Sequence, residues 1–227
     1  MKKDFTAAAI AETLDHSALK PQMTEADIIK ACAVGKKYRT ASVCVRPTDA
    51  ALAKKELDGS QVKLAVVVGF PHGYHRPEVK ALESKLAIDE GADELDMVLN
   101  IGALLFGNYD LVEKDISAVV KEAKPRGVLV KVILETCYLG KEQIVTACRL
   151  SEAAGANYVK SSTGFGTEGA TVEVIQLMLN TVRGRLGVKA SGGIRSYEKA
   201  VTFLQLGCER LGVTATEAII TEALQRE

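Results

Sequence analysis

Three lysines stand in runs that are otherwise apolar and β-branched. Lys131 lies in Val-Leu-Val-Lys-Val-Ile-Leu-Glu, Lys160 in Asn-Tyr-Val-Lys-Ser-Ser-Thr and Lys189 in Gly-Val-Lys-Ala-Ser-Gly-Gly. A lysine drawn into a buried strand loses hydration of its ammonium group, which lowers its pKa, and a second cation nearby lowers it further. A neutral amine near pH 7 is the nucleophile that condenses with a carbonyl substrate to give a Schiff base. Each lysine alone reads equally as a side chain reaching for solvent or pairing with Asp96 or Glu135. Three in neighbouring strands, each followed or faced by polar groups, point to a site. Strand alternation puts Glu94, Asp96 and Val98 on one face of Glu-Leu-Asp-Met-Val-Leu-Asn. A carboxylate at Asp96, beside lysines, carries protons or serves as their counter-ion.

Two glycine-rich turns follow the lysine runs: Ser162-Thr163-Gly164-Phe165-Gly166 and Ser191-Gly192-Gly193-Ile194-Arg195. Each leads towards a helix, so exposed backbone N–H groups and the helix dipole could hold an anion such as phosphate. The same glycines serve equally well as tight turns. Gly164-Phe-Gly166-Thr-Glu-Gly169 fits the dinucleotide pattern G-x-G-x-x-G. The acidic residue required about 20 positions on is missing, and Val188-Lys189-Ala190 stands there instead, so no nicotinamide cofactor is expected. His72 and His75 with Glu78 have no further ligand at a characteristic spacing and precede Pro77. They read as a solvated loop, and no metal is expected. Asp15, Cys44 and Arg46 end strand-like runs and are candidate substrate contacts, with simple burial as the other reading for Cys44. His16 reads as a packing or pocket residue.

These residues need strands to carry them. Strand-like runs occur at Thr13–His16, Ala41–Val45, Val62–Gly69, Glu94–Leu99, Val128–Glu135, Tyr158–Ser161, Val188–Ala190 and Arg210–Val213, with amphipathic segments between them. Helix starts are marked by Thr24, Thr48, Ser196, Pro77 and a capping-box pattern in Thr214-Ala-Thr-Glu217. Gly35, Gly91, Gly155 and Gly207 read as helix stops. Eight strands in 227 residues give about 28 residues per unit, close to a (β/α)8 TIM barrel, in which chemistry sits at the C-terminal ends of the strands. An open doubly wound sheet gives the same alternation. No linker or composition shift divides the chain, so residues 1–227 read as one α/β domain.

Composition narrows the classes further. Lys+Arg and Asp+Glu both number 29, so the net charge is zero and no global basic field exists to hold nucleic acid or an anionic membrane. The longest apolar run, Leu64 to Phe70, is far short of the roughly 20 residues that span a bilayer. Lys2 and Lys3 precede only a short Ala-rich stretch broken by Glu12, so no signal-peptide core is expected. The five cysteines are an odd number without a C-x-x-C pair, which fits free thiols in a reducing cytoplasm.

Taken in order, these segments resemble the deoxyribose-phosphate aldolase family, the class I aldolases of deoxynucleoside catabolism. The resemblance runs from Leu14 almost to the C-terminus. It rests on Leu-Asp15-His-Ser-Ala-Leu-Lys20-Pro, Val-Cys44-Val-Arg-Pro, Val-Gly69-Phe-Pro-His-Gly73 and Glu-Leu-Asp96-Met-Val-Leu-Asn-Ile-Gly. It continues through Lys131-Val-Ile-Leu-Glu-Thr, Val-Lys160-Ser-Ser-Thr-Gly-Phe and Val-Lys189-Ala-Ser-Gly-Gly-Ile-Arg.

The resemblance implies a barrel enzyme without metal or cofactor, cytoplasmic and dimeric or tetrameric. Such an enzyme reversibly cleaves 2-deoxyribose 5-phosphate to acetaldehyde and glyceraldehyde 3-phosphate. It further implies that Lys160 forms the Schiff base, that Lys189 keeps the pKa of Lys160 low, and that Asp96 joins a water-mediated proton relay. Lys131 would support that network. Asp15, Ser17 and Cys44 match the family's pocket positions, and Gly164, Gly192, Gly193, Gly212 and Thr214 its phosphate-contacting turns.

The final turn departs from the family pattern. Gly212-Val-Thr214-Ala215 keeps one hydroxyl where the family usually has two, which predicts a weaker phosphate preference. No aromatic residue follows Phe203 to match the terminal tyrosine of some members, and Gly73-Tyr-His-Arg-Pro77 replaces a small polar stretch. The residues by themselves also leave open a class I aldolase or transaldolase-like enzyme for another sugar, and a non-catalytic phosphosugar-binding barrel.

Overall fold

The computed structural model describes residues 5–227, so Lys2 and Lys3 of the leader reading lie outside the described residues. Eight strands, β1 (Leu14–Ala18), β2 (Ser42–Val45), β3 (Lys63–Val68), β4 (Glu94–Val98), β5 (Leu129–Ile133), β6 (Tyr158–Lys160), β7 (Gly187–Ser191) and β8 (Arg210–Val213), pair in parallel and in chain order. β8 closes on β1 through Leu14, Asp15 and His16, which rules out the open-sheet alternative. Each strand-like run of the sequence overlaps one of these strands, with ends shifted by at most two residues.

Ten α-helices are described: α1 (Ala7–Ala11), α2 (Glu25–Tyr38), α3 (Ala50–Leu57), α4 (Pro77–Asp89), α5 (Ile101–Phe106), α6 (Tyr109–Ala123), α7 (Lys141–Ala153), α8 (Val172–Val182), α9 (Tyr197–Leu206) and α10 (Thr216–Leu224). The outward row of the strands, among it Val43, Leu64, Val66, Leu95, Met97, Val130, Val132, Val159, Val188 and Leu211, packs against these helices as one buried core. Strands of a parallel barrel are buried on both faces, so polar residues within them stand out against an apolar background. Here the charged residues fall on the inward row, at every second position, as the strand period requires, while His16 faces outward to Thr216 of α10.

Several local signals behave differently from their sequence reading. Gly35 sits inside α2 instead of ending it. A Cβ there would lie 2.4 Å from Val43 Cγ2, so the glycine lets the helix press on β2. Thr48 falls within a 3-10 turn, Pro47–Asp49, and Asp49 precedes α3 with its carboxylate held by Arg46 at 2.6 Å. The Thr214–Glu217 pattern forms no side-chain cap, because Ala215 holds the N-cap position and the Thr216 hydroxyl bonds His16 Nδ1 at 2.9 Å. Pro77 opens α4, Ser196 caps α9 through the Lys199 amide, and Thr24 with Asp27 begins α2, as read from the sequence.

Candidate active site

The inward row carries a buried cage of charge. Asp96 on β4 is its centre: Oδ2 accepts from Lys160 Nζ at 2.6 Å and Lys189 Nζ at 2.7 Å, and Oδ1 accepts from Lys131 Nζ at 2.7 Å. Asp15 on β1 takes Lys189 at 2.5 Å and lies 3.7 Å from Lys131. Below them, Glu94 accepts from Lys131 at 2.5 Å. Arg210 opens β8 and bridges the two outer carboxylates, with Nε 2.9 Å from Asp15 Oδ1 and an Nη 2.7 Å from Glu94 Oε1.

The cage holds four cations, Lys131, Lys160, Lys189 and Arg210, against three carboxylates, Asp15, Glu94 and Asp96. Charges removed from water are stable only when matched, so one of the four has reason to shed its proton. Lys131 has three carboxylates within reach, Lys189 two and Arg210 two, whereas Lys160 has only Asp96, shared with both other lysines. Burial therefore lowers the pKa of Lys160; Asp96 opposes the shift and Lys189 reinforces it. The same burial acts on Lys131 and Lys189, but their carboxylates outweigh it and raise both. Asp15 and Asp96 are lowered although burial pushes the other way, because the lysines around them prevail.

Beside the charged wall, with Val67 in register with Asp96, is a small apolar one: Leu19, Cys44, Ala65 and Val67, with Phe70 at its edge. Cys44 is fully buried there, and burial pushes its thiol up to about 12, so it is a protonated, unreactive surface. Ser17 lies between Asp15 and Leu19 on the same row, in register with Cys44. Phe70 meets Phe165 edge to face at 5.3 Å, which links the loop after β3 to the loop after β6.

The two glycine turns lie side by side at the C-terminal end. Ser191 donates its amide to Ser161 Oγ at 3.1 Å, and the Ser162 amide donates to Ser191 Oγ at 3.2 Å. Gly192 and Gly193 both hold positive φ, +86° and +75°, and Gly169 packs so closely on Gly192 that a Cβ would lie 2.2 Å from its carbonyl oxygen. Gly164, at φ +85°, faces open space. Gly212 lies in the barrel wall, where a Cβ would meet Ser191 Cβ at 2.8 Å and Lys189 Cε at 3.2 Å. It makes room for the Lys189 stem. Thr214 is exposed just beyond.

Four contributors were not singled out as site residues in the sequence. Arg210 begins a strand and carries no signal of its own in the sequence. Glu94 has the correct parity but reads as a neighbour of Asp96. Glu135 pairs with no lysine; it adopts a left-handed backbone, φ 41°, and accepts from the Thr163 amide at 3.1 Å and from the Thr163 hydroxyl. Lys199 brings its Nζ to 3.4 Å from where a Cβ would stand on Gly193. Arg46, read as a substrate contact, instead binds Asp49 and the carbonyls of Lys20, Pro21 and Met23. His72 stacks on Tyr74 in the loop before α4, and no group of three potential metal ligands occurs among the described residues.

A buried amine held on a shared carboxylate is chemistry that a Schiff-base enzyme can use, and comparison with known proteins gives the family. Residues 9–207 match the model of the DeoC/LacD family aldolases. The chain belongs to this family. This aldolase is 53% identical over 207 residues to the deoxyribose-phosphate aldolase of Streptococcus sanguinis, covering 91% of this chain and 93% of the relative. It is 49% identical to that of Thermococcus gammatolerans, covering 96% and 98%. The solved deoxyribose phosphate aldolase of Aeropyrum pernix, described as a unique tetramer, superposes with a TM-score of 0.91 at 30% identity, over 98% of this chain and 94% of that one. Mandelate oxidase structures, at 11–13% identity and TM-scores of 0.63–0.67, share the fold alone.

Proposed function

We propose that this aldolase reversibly cleaves 2-deoxyribose 5-phosphate to acetaldehyde and glyceraldehyde 3-phosphate through a Schiff base on Lys160. The observation that carries the proposal is the charge imbalance of the cage, which leaves Lys160 as the one amine without a carboxylate of its own. Neutral Lys160 attacks C1 of the open-chain sugar, and loss of water gives an iminium ion. The product acetaldehyde has two carbons, so the bond that breaks is C2–C3. Its electrons flow into the iminium as the C3 hydroxyl loses its proton, with Asp96 and Lys189 serving the transfer through water. The enamine left on Lys160 is neutral, which restores the match of three cations, Lys131, Lys189 and Arg210, to three carboxylates that the iminium upsets. Protonation at C2 and hydrolysis then release acetaldehyde. The electron sink is the lysine's own iminium, so no cofactor or metal enters the scheme.

Lys131 would hold Asp96, while Asp15 and Ser17 meet the sugar hydroxyls and Cys44 lines the apolar wall. The phosphate would sit on the amides of Gly164, Gly192 and Gly193, near Gly212 and Thr214, with Lys199 as a neighbouring cation. Residues 1–227 are taken as one catalytic domain. Five free cysteines suit a reducing cytoplasm. The exposed row Val79, Leu82 and Leu86 on α4 supports assembly of copies into a dimer or tetramer.

Turnover of 2-deoxyribose 5-phosphate with EDTA present, followed by acetaldehyde release, tests the assignment. Stoichiometric acetaldehyde and glyceraldehyde 3-phosphate are expected. Release of another aldehyde would assign a different sugar, and none at all would leave a binding barrel.

A further inference from the structure

We propose that Arg210 is a positioning residue that keeps Lys160 in its neutral, nucleophilic form from the far side of the cage. The inference rests on Lys160 being the Schiff-base lysine. Arg210 forms polar contacts with Asp15 and Glu94, and none of them reaches Lys160 or Asp96. Its influence is through the charge count. With Arg210 in place, three cations already match three carboxylates when Lys160 is neutral. Without it, the match requires Lys160 to be protonated.

The side chain at this position has to be a cation that does not itself give up the proton. A guanidinium meets that condition, and its planar fork spans two carboxylates at once. Lys160, Lys189 and Arg210 are register partners across β6, β7 and β8, so the three cations form one inward row. The other groups facing Lys160 are Asp96 from β4, Lys131 from β5, Cys44 from β2 and Asp15 from β1. β3 contributes only Ala65 and Val67. No other charged side chain in that ring is free to replace Arg210: Lys131 and Lys189 are already committed to Asp96 and its neighbours.

The test is reductive trapping of acetaldehyde with cyanoborohydride between pH 5 and 9, with mass spectrometry of Lys160 as the readout. Arg210→Met is expected to move the midpoint of trapping up by about one pH unit, so that labelling below the midpoint falls about tenfold. Arg210→Lys, a cation that can itself give up the proton, should bring the midpoint only part of the way back. Glu94→Gln removes an anion instead and should move the midpoint down, which preserves the test should Arg210→Met fail to fold. A purely structural arginine would alter the amount of folded protein and leave all the midpoints together. Wild-type trapping with a midpoint unchanged in Arg210→Met, or in Glu94→Gln, overturns the role of Arg210 and leaves the Schiff-base reading standing. Absence of trapping at Lys160 in the wild type at every pH overturns that reading instead.

Discussion

Lys160 and Lys189 are register partners on β6 and β7, and both donate to one atom, Asp96 Oδ2, at 2.6 and 2.7 Å. Two ammonium groups on one carboxylate oxygen cannot both be fully compensated. Lys189 has Asp15 as a second anion at 2.5 Å and keeps its proton; Lys160 has none. The difference between two chemically identical side chains, one the proposed nucleophile and the other its electrostatic neighbour, is thus the position of Asp15.

Lys189→Leu removes that neighbour. The cage loses a positive charge, protonated Lys160 becomes easier to hold, and the basic limb of Schiff-base formation should move to higher pH. A like charge in contact shifts a pKa by roughly one unit or more, so neutral amine at pH 7 falls at least about tenfold. The pH profile of acetaldehyde trapping in the variant checks this, and an unchanged curve removes Lys189 from the role.

Ala215 holds the N-cap position of α10 without a side-chain bond. Ala215→Ser restores a hydroxyl beside the proposed phosphate site, and a hydrogen bond to a charged group is worth roughly 1.5–3 kcal/mol. kcat/KM for 2-deoxyribose 5-phosphate should rise about tenfold or more, with little change for the unphosphorylated sugar. Equal changes for the two sugars would show that this turn does not touch the phosphate.

Burial pushes His16 down to about 4 from an ordinary 6.5, with Glu217 pulling weakly the other way. The folded protein therefore keeps the ring neutral while the unfolded chain takes up the proton first. Stability from this residue is complete above about pH 6.5 and is lost as pH falls towards 4, by roughly 2–3 kcal/mol. Denaturant unfolding at pH 7 and pH 4.5 should show a loss in the wild type that exceeds the loss in His16→Gln by about 2 kcal/mol. Equal losses would contradict the assignment.

Outside the barrel, Lys80 on α4 is fully buried against Asp115 on α6 at 2.6 Å and against the Val98 carbonyl at 2.7 Å. Asp115→Asn leaves an unmatched buried ammonium and should cost about 3–5 kcal/mol. The apolar double replacement Lys80→Met with Asp115→Leu should recover most of that loss, since a buried pair contributes little beyond its own desolvation. Thermal unfolding of the single and double variants decides it, and a double variant as unstable as the single would contradict this account.

The barrel was legible because its strands carry apolar residues outward and polar ones inward, so Lys131, Asp96 and Lys189 interrupt recognisable runs. Asp15 and Cys44 were legible as the ends of strand-like runs, and Ser17 through the family resemblance alone. Arg210 was not, because a charged residue at the first position of a strand is usually a solvated flank; only closure of β8 on β1 brings it to Asp15. Glu135, offered as a partner for the lysines, meets Thr163 instead, because its left-handed backbone ends the strand and turns the side chain to the loop after β6. Thr214 was read as the capping residue of a helix start, whereas Ala215 holds that position and the Thr216 hydroxyl bonds His16, 200 residues away in sequence. Tertiary partners outcompeted local ones at each of these positions.

The central claim is that, of the four cations in the cage, Lys160 alone is the nucleophile. Borohydride reduction in the presence of acetaldehyde, followed by peptide mass spectrometry, tests it most directly. The account predicts a single ethyl group on Lys160, with labelling and turnover both abolished in Lys160→Ala. An ethyl group on Lys189 or Lys131 in its place, or undiminished turnover in Lys160→Ala, would contradict it.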